Sequence, residues 1–256
     1  MWGKTALVTG AAGGIGEAVV RALAAEGAAV AAVDVEAEAL HLRVKTLAGE
    51  GHRVRGFAAD VSTGAAVDAM VEEVERELGP VRYLVNAAGV LRPGAVTEFS
   101  DHDWNTTFAV NTTGVFHVSR AVARRMVPRK EGAIVTVASN AATVPRRDMA
   151  AYAASKAAAS SFTKSLGLEL AEHGIRCNVV APGTTETPMI ASLYADADAL
   201  RATIEGMPAS HRVGIPLRKL ATPGDIAEAV LFLLSERASH ITLHDLTVDG
   251  GAGLGR

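Results

Sequence analysis

Tyr152 and Lys156 stand four residues apart in the run Tyr152-Ala153-Ala154-Ser155-Lys156, and on a helix that spacing sets both side chains on one face. A free phenol ionises near pH 10 and is a poor base at neutral pH, but a neighbouring ammonium stabilises the phenolate and lowers its pKa. Tyr152 so placed would accept a hydroxyl proton while hydride leaves the same carbon. Such pairs also arise by chance on solvated helices, so the reading depends on what else the chain carries. Upstream, Thr9-Gly10-Ala11-Ala12-Gly13-Gly14-Ile15-Gly16 follows a β-branched run and opens an amphipathic one. Glycines let the backbone turn tightly and approach a pyrophosphate with no Cβ in the way. The helix that follows offers unpaired N–H groups and a partial positive charge. Strand before and helix after make this a candidate dinucleotide cradle, with Gly10, Gly14, Ile15 and Gly16 as its contacts.

Asp34 closes the second β-branched run, eighteen positions beyond Gly16, close to the roughly 20 that separate such a turn from the acid that binds the adenosine ribose. Its charge would repel a 2′-phosphate, so the expected cofactor is NAD rather than NADP. An aspartate at a strand-to-helix turn also caps helices, and that reading stands beside the first. Asp60-Val61 closes the third run in the same way, where the carboxylate would accept from the adenine amino group or cap a turn. The fourth run ends in Asn86-Ala87-Ala88-Gly89, small residues at the sheet edge where ligands bind in such folds.

These residues need a scaffold that brings strand ends together, and the chain supplies its rhythm. Candidate strands at 5–9, 29–34, 53–59, 83–86, 133–139, 176–181 and 243–249 alternate with candidate helices at 14–26, 36–50, 63–78, 103–127, 150–173 and 223–235. The alternation predicts an α/β fold: a single-domain, Rossmann-type, doubly wound parallel sheet of about seven strands with helices on both faces, over residues 1–256. Residues 182–220 break the rhythm with prolines, glycines and weak helical periodicity, and read as a substrate loop.

With 49% hydrophobic residues and a net charge of -3, neither nucleic acid nor an anionic membrane is favoured as a partner. With no leader pattern and no apolar run of about 18 residues, the expectation is a cytoplasmic protein. The single Cys177 reads as a core residue of a strand. His240 and His244 flank Ile241-Thr242-Leu243, which also reads as a strand, where a separation of four is too wide for a shared metal, so no metal site is expected.

Thr9-Gly10-x-x-x-Gly14-Ile15-Gly16, Asn86-Ala87-Ala88-Gly89, Asn111, Ser139, Tyr152-x-x-x-Lys156 and Pro182-Gly183 together resemble the short-chain dehydrogenase/reductase family across the whole chain. The resemblance implies that Ser139 hydrogen-bonds the reacting oxygen, that Tyr152 is the general base, and that Lys156 holds the nicotinamide ribose while depressing the tyrosine pKa. It further implies that Asn111 anchors a water in the proton relay, that Thr187 contacts the nicotinamide carboxamide, and that the assembly is a homotetramer built on the long helices at 103–127 and 150–173. Ala87 stands where many members carry a second asparagine.

Stretches 84–92, 133–142 and 238–245, with Gly214-Ile215-Pro216-Leu217 and Pro145-Arg146 followed by Met149, resemble one branch of that family. That branch oxidises a dihydroxy-cyclohexadiene carboxylate to a catechol acid used in siderophores. A carboxylate substrate needs a cation, and a guanidinium grips one with two hydrogen bonds. Arg146 is the expected clamp, with Arg147 beside it and ordinary solvation as the other reading. Rival substrates are another aromatic dihydrodiol, a 3-oxoacyl group or a sugar or other secondary alcohol. A rival of another class is a dinucleotide-binding regulatory protein.

Overall fold

Alternate residues of each strand pack to opposite faces of one sheet, and both faces are covered. In β1 (Thr5–Thr9) Ala6 and Val8 point to one core while Leu7 points to the other. In β2 (Ala29–Asp34) Val30 and Ala32 oppose Ala31 and Val33 in the same way. This period of two, buried on both sides, produces β-branched and alanine-rich strands with no polar face. The computed structural model describes residues 1–191 and 197–255. Its remaining strands are β3 (Val54–Ala58), β4 (Val81–Asn86), β5 (Gly132–Val137), β6 (Ile175–Pro182) and β7 (Asp245–Val248). All pair in parallel, in the order β3-β2-β1-β4-β5-β6-β7.

The chain winds outward from β1 to β3, returns to the other side of β1 as β4, and winds outward again. A crevice therefore opens at the C-terminal ends of β1 and β4, the switch point where such sheets bind ligands. One face is covered by α1 (Gly14–Ala25), α2 (Ala37–Gly49) and α9 (Pro223–Leu234) through Val19, Leu23, Leu40, Ile226 and Val230. The other is covered by α3 (Gly64–Leu78) and α5 (Val115–Arg129), through Val67, Val71, Val118 and Met126. Each such side chain, withdrawn from water, contributes on the order of 1.5–3 kcal/mol. Cys177 is fully buried among them, and burial pushes its thiol up to about 12, so it is an inert core group.

The expected helix at 103–127 is in fact three pieces: α4 (Asp101–Phe108), a π turn (Ala109–Gly114) and α5. Ser100 caps α4, its hydroxyl accepting from the Asp103 N–H at 3.0 Å. The wider turn has a tertiary cause. It brings the Asn111 amide to the backbone of Val90, and Gly114 approaches Val61 so closely that a Cβ would lie 2.7 Å from that side chain.

The last strand starts at Asp245 rather than 243, because Leu243 adopts a left-handed φ of 62° and donates its N–H to the Cys177 carbonyl. Residues 241–243, between the two histidines, are therefore not strand, and among the described residues no group of three His, Cys, Asp or Glu is placed to hold a metal. The stretch at 182–220 is more helical than its periodicity predicts, holding α7 (Pro188–Ala191) and α8 (Ala197–Glu205). Helices this short show too few turns for a period to register. The last helix of the catalytic half, α6 (Ala150–Leu170), crosses β5 and β6. No described helix is long and apolar enough to cross a membrane.

Candidate active site

β1 ends in Thr9 and the chain turns at Gly10 with φ of 70°. The turn is pressed against β4: a Cβ on Gly10 would lie 2.8 Å from the Ala87 carbonyl and the Ala88 N. Thr9 ties the same place together, its hydroxyl accepting from the N–H groups of Ala87 at 3.1 Å and Ala88 at 3.2 Å. Gly13, extended at φ -177°, stands before α1, and a Cβ there would meet nothing within 4 Å. Gly13 and the first residues of α1, Gly14, Ile15 and Gly16, line the cleft, and a helix N-terminus is a favourable place for an anion. Gly14, at φ 57°, lies beneath Thr187, whose methyl is 3.3 Å from where a Cβ would be.

The cleft above this turn holds about 440 Å³. Gly10, Gly14, Ile15 and Gly16 floor it, Asp34, Asp60 and Val61 bound one end, and Ala88 and Gly89 lie along β4. Ser139, Tyr152, Lys156, Gly183 and Thr187 form the other end. Asn86, Asn111 and Arg146 are outside its lining.

Asp34 ties the glycine turn to the segment before α2 and does not cap that helix. One carboxylate oxygen accepts from the Ala12 N–H at 2.9 Å, inside the glycine turn, and the other from the Glu36 N–H at 3.1 Å, at the start of α2. Asp60 accepts from both the N–H and the hydroxyl of Ser62, at 2.8 and 2.7 Å, so it closes a turn before α3 rather than capping the helix itself. Asn86 is buried, donating to Ser119 at 2.9 Å and Thr136 at 3.3 Å, and it braces β4 against β5 and α5 behind the cleft.

At the other end Tyr152 and Ser139 share a hydrogen bond. Ser139 follows β5 by two residues, its hydroxyl also accepting from the Ala141 N–H at 3.1 Å. Lys156 donates to the Val137 carbonyl at 3.0 Å, and its ammonium lies 5.8 Å from the centre of the Tyr152 ring. Burial lowers the lysine to about 8. The phenol departs from the expectation drawn from the spacing. Burial raises it above its ordinary value, the Ser139 hydrogen bond pulling in the other direction, and the lysine is not among the causes. In the protein alone, withdrawal from water outweighs the pull of Ser139.

Asn111 is fully committed. Its Oδ1 accepts from the Val90 N–H at 2.8 Å, and its Nδ2 donates to the Val90 carbonyl at 2.9 Å and to the Ser155 hydroxyl at 3.0 Å. Ser155 in turn donates to the Tyr152 carbonyl at 2.7 Å. Gly89 fits between these groups only because it lacks a Cβ, which would lie 3.1 Å from the Lys156 amine and 3.3 Å from Asn111 Oδ1. Thr9, Val90 and Ser155 thus take part in the site although the sequence reading gave them no role. Each bonds a partner distant in the chain, and only the thread through Tyr152-x-x-x-Lys156 hinted at Ser155.

Residues 4–198 match the family profile described as short chain dehydrogenase. The chain belongs to this family. As a short-chain dehydrogenase it is an oxidoreductase that works with a nicotinamide cofactor, and the open α1 terminus, Asp34 and Lys156 fit such a group at three points along the cleft. Among its relatives is the 2,3-dihydro-2,3-dihydroxybenzoate dehydrogenase of Bacillus subtilis (strain 168), 57% identical over 99% of this chain and 97% of that protein. The enzyme of the same name from Escherichia coli (strain K12) is 44% identical over 99% and 98%. Among solved structures, a gluconate 5-dehydrogenase from Burkholderia cenocepacia J2315, in complex with NADP and tartrate, superposes with a TM-score of 0.91. It is 32% identical and covers 98% of this chain and 96% of its own.

The buried lysine sets a pH signature. Its proton is held less tightly in the folded chain, so between about 8 and 10.5 the unfolded chain binds more protons and this group's contribution to stability rises with pH. Below that window its full cost is present, roughly 3 kcal/mol at about 1.4 kcal/mol per pKa unit. Without cofactor, Lys156→Met should therefore melt above the parent at pH 7, and the gap should close by pH 10. A gap that does not change with pH would refute the buried ammonium.

Proposed function

We propose that the protein oxidises 2,3-dihydro-2,3-dihydroxybenzoate to 2,3-dihydroxybenzoate with NAD, in catechol siderophore biosynthesis. The observation that carries the reading is the convergence of Ser139, Tyr152 and Lys156 at one end of a dinucleotide-shaped cleft. It occurs in a chain that relatives named for this reaction match along nearly their whole length.

The chemistry follows from the groups. Ser139 bonds the reacting ring oxygen and Tyr152 takes its proton, the two side chains already sharing a hydrogen bond. When bound, NAD accepts the hydride from the same carbon. Lys156 holds the nicotinamide ribose, and while it stays protonated its charge favours the phenolate. Asn111 fixes the π turn beside the lysine, where the resemblance sets a relay water. The enone left on the ring tautomerises to a catechol, and aromatisation draws the reaction toward oxidation. Arg146 binds the substrate carboxylate. The chain from 1 to 256 acts as one domain, with α7 and α8 covering the substrate.

Purified protein given NAD and 2,3-dihydro-2,3-dihydroxybenzoate should form NADH and fluorescent catechol acid. Its kcat/KM should climb with pH through the alkaline range, because a raised phenol must be ionised to act as base. Tyr152→Phe should lose about 100-fold or more. Activity confined to sugar alcohols or oxoacyl thioesters would overturn the substrate assignment.

Asp34 carries the choice of NAD over NADP, since a 2′-phosphate would meet its carboxylate. Asp34→Asn keeps an acceptor for the Ala12 N–H while removing the charge. It should shift the ratio of kcat/KM toward NADP by about tenfold, the scale of one charge-assisted contact. A parent enzyme equally efficient with both cofactors would remove the basis of this reading.

The assembly we favour is a cytoplasmic homotetramer built on α4, α5 and α6. Its support is the three apolar side chains left exposed on those helices, Trp104 at 44%, Phe116 at 37% and Leu168 at 70%. Light scattering should give four times the 26.4 kDa chain mass, and a monomer would exclude it.

A further inference from the structure

A hydrogen-bonded chain ties Arg146 to the turn that follows β7. Its Nη2 donates to Asn140 Oδ1 at 3.3 Å, and Asn140 Nδ2 donates to Asp249 Oδ2 at 3.0 Å. Asn140 is buried, at 4% exposure, and directly follows Ser139. Asp249 directly follows β7 and is held firmly. Its Oδ1 accepts from the Gly251 N–H at 2.9 Å and its Oδ2 from the Gly253 N–H at 2.7 Å. Gly183, at the end of β6, packs on it so tightly that a Cβ there would lie 2.7 Å from the Asp249 Cβ.

The chain has a direction, and Asp249 dictates it. An ionised carboxylate only accepts, so the Asn140 amide must turn its NH₂ toward Asp249 and its carbonyl toward Arg146, which only donates. The carboxylate also polarises the amide it binds and so strengthens the carbonyl as an acceptor. A guanidinium is a planar fork, and one fixed bond sets the plane in which the fork faces a ligand.

We propose that Asn140 and Asp249 are positioning residues for substrate specificity: they orient Arg146 toward a carboxylate borne by the ring whose oxygen Ser139 and Tyr152 hold. This rests on the reading of Arg146 as the carboxylate clamp and goes beyond it. Selectivity for an acidic substrate is thereby linked to the turn that follows β7, although neither residue touches the ligand.

The test uses the NADH-bound enzyme and two ligands that differ only in the carboxylate, 2,3-dihydroxybenzoate and catechol, titrated by calorimetry. Arg146→Ala and Asn140→Ala should each weaken the carboxylated ligand by about tenfold, one charge-assisted contact, while leaving catechol binding unaltered. The double variant should be no weaker than Arg146→Ala alone, because Asn140 acts through the arginine. Asn140→Leu keeps the size but neither donates to Asp249 nor accepts from Arg146, and it should show the same selective loss if the alanine variant folds poorly. If Arg146→Ala is selective but both Asn140 variants weaken the two ligands equally or not at all, the positioning role is wrong and the clamp stands. If Arg146→Ala fails to discriminate between the ligands, the clamp falls and the inference with it.

Discussion

A lysine ammonium withdrawn from water is costly unless something compensates, and Lys156 is 5% exposed with the Val137 carbonyl as its protein partner. Much of the neighbouring structure is shaped around that charge. β5 must end with a carbonyl aimed at the amine, so the strand stops at Val137 and the chain turns away at Ser139. The segment that follows β4 must stay small beside the amine, and it carries Gly89 there. α6 must present Lys156 and Tyr152 on one face while standing close to β5. The price of a charge in this place is met by the core on either side of the sheet.

The same pocket explains why polar side chains are buried behind the cleft. Asn111, Ser155 and Thr112 form one set of bonds between the π turn and α6. Asn86, Ser119, Thr136 and Thr163 form another between β4, β5, α5 and α6. A buried polar group with a partner is nearly neutral in stability, whereas one without costs about 1–3 kcal/mol. The networks therefore specify geometry more than they add stability, and the Asn86 Oδ1 is the one atom in them left without a bond.

Local signals carried much of the design. The central strands read as short β-branched runs because they are buried on both faces, and the glycine turn read as a cradle because a strand and a helix bracket it. Tyr152 and Lys156 were legible through helical spacing, and Asp34 through its distance from Gly16. What could not be read is what depends on contact across the fold. The π turn at Ala109–Gly114 follows from Val90 and Val61, both distant in the chain, and has no compositional mark. The direction of the Tyr152 pKa is a matter of burial, which spacing does not report. Leu243 left the strand because of one left-handed residue, and α8 was too short to show its period.

Two aspartates at strand ends, Asp34 in the cleft and Asp249 outside its lining, work by one device. Asp34 ends β2 and accepts from backbone N–H groups of the glycine turn and of the start of α2. Asp249 follows β7 and accepts from two N–H groups of the closing glycine turn and from Asn140. In each, a carboxylate at the C-terminal end of a parallel strand is fixed by backbone donors before any ligand arrives. A charge held this way does not have to be reorganised when cofactor or substrate binds, so its full discriminating effect is available at the encounter. In the function proposed above, the first charge would stand against a 2′-phosphate on the ribose. The second faces an amide and, through it, a guanidinium, so a negative strand end would help to present a positive group to a negative substrate.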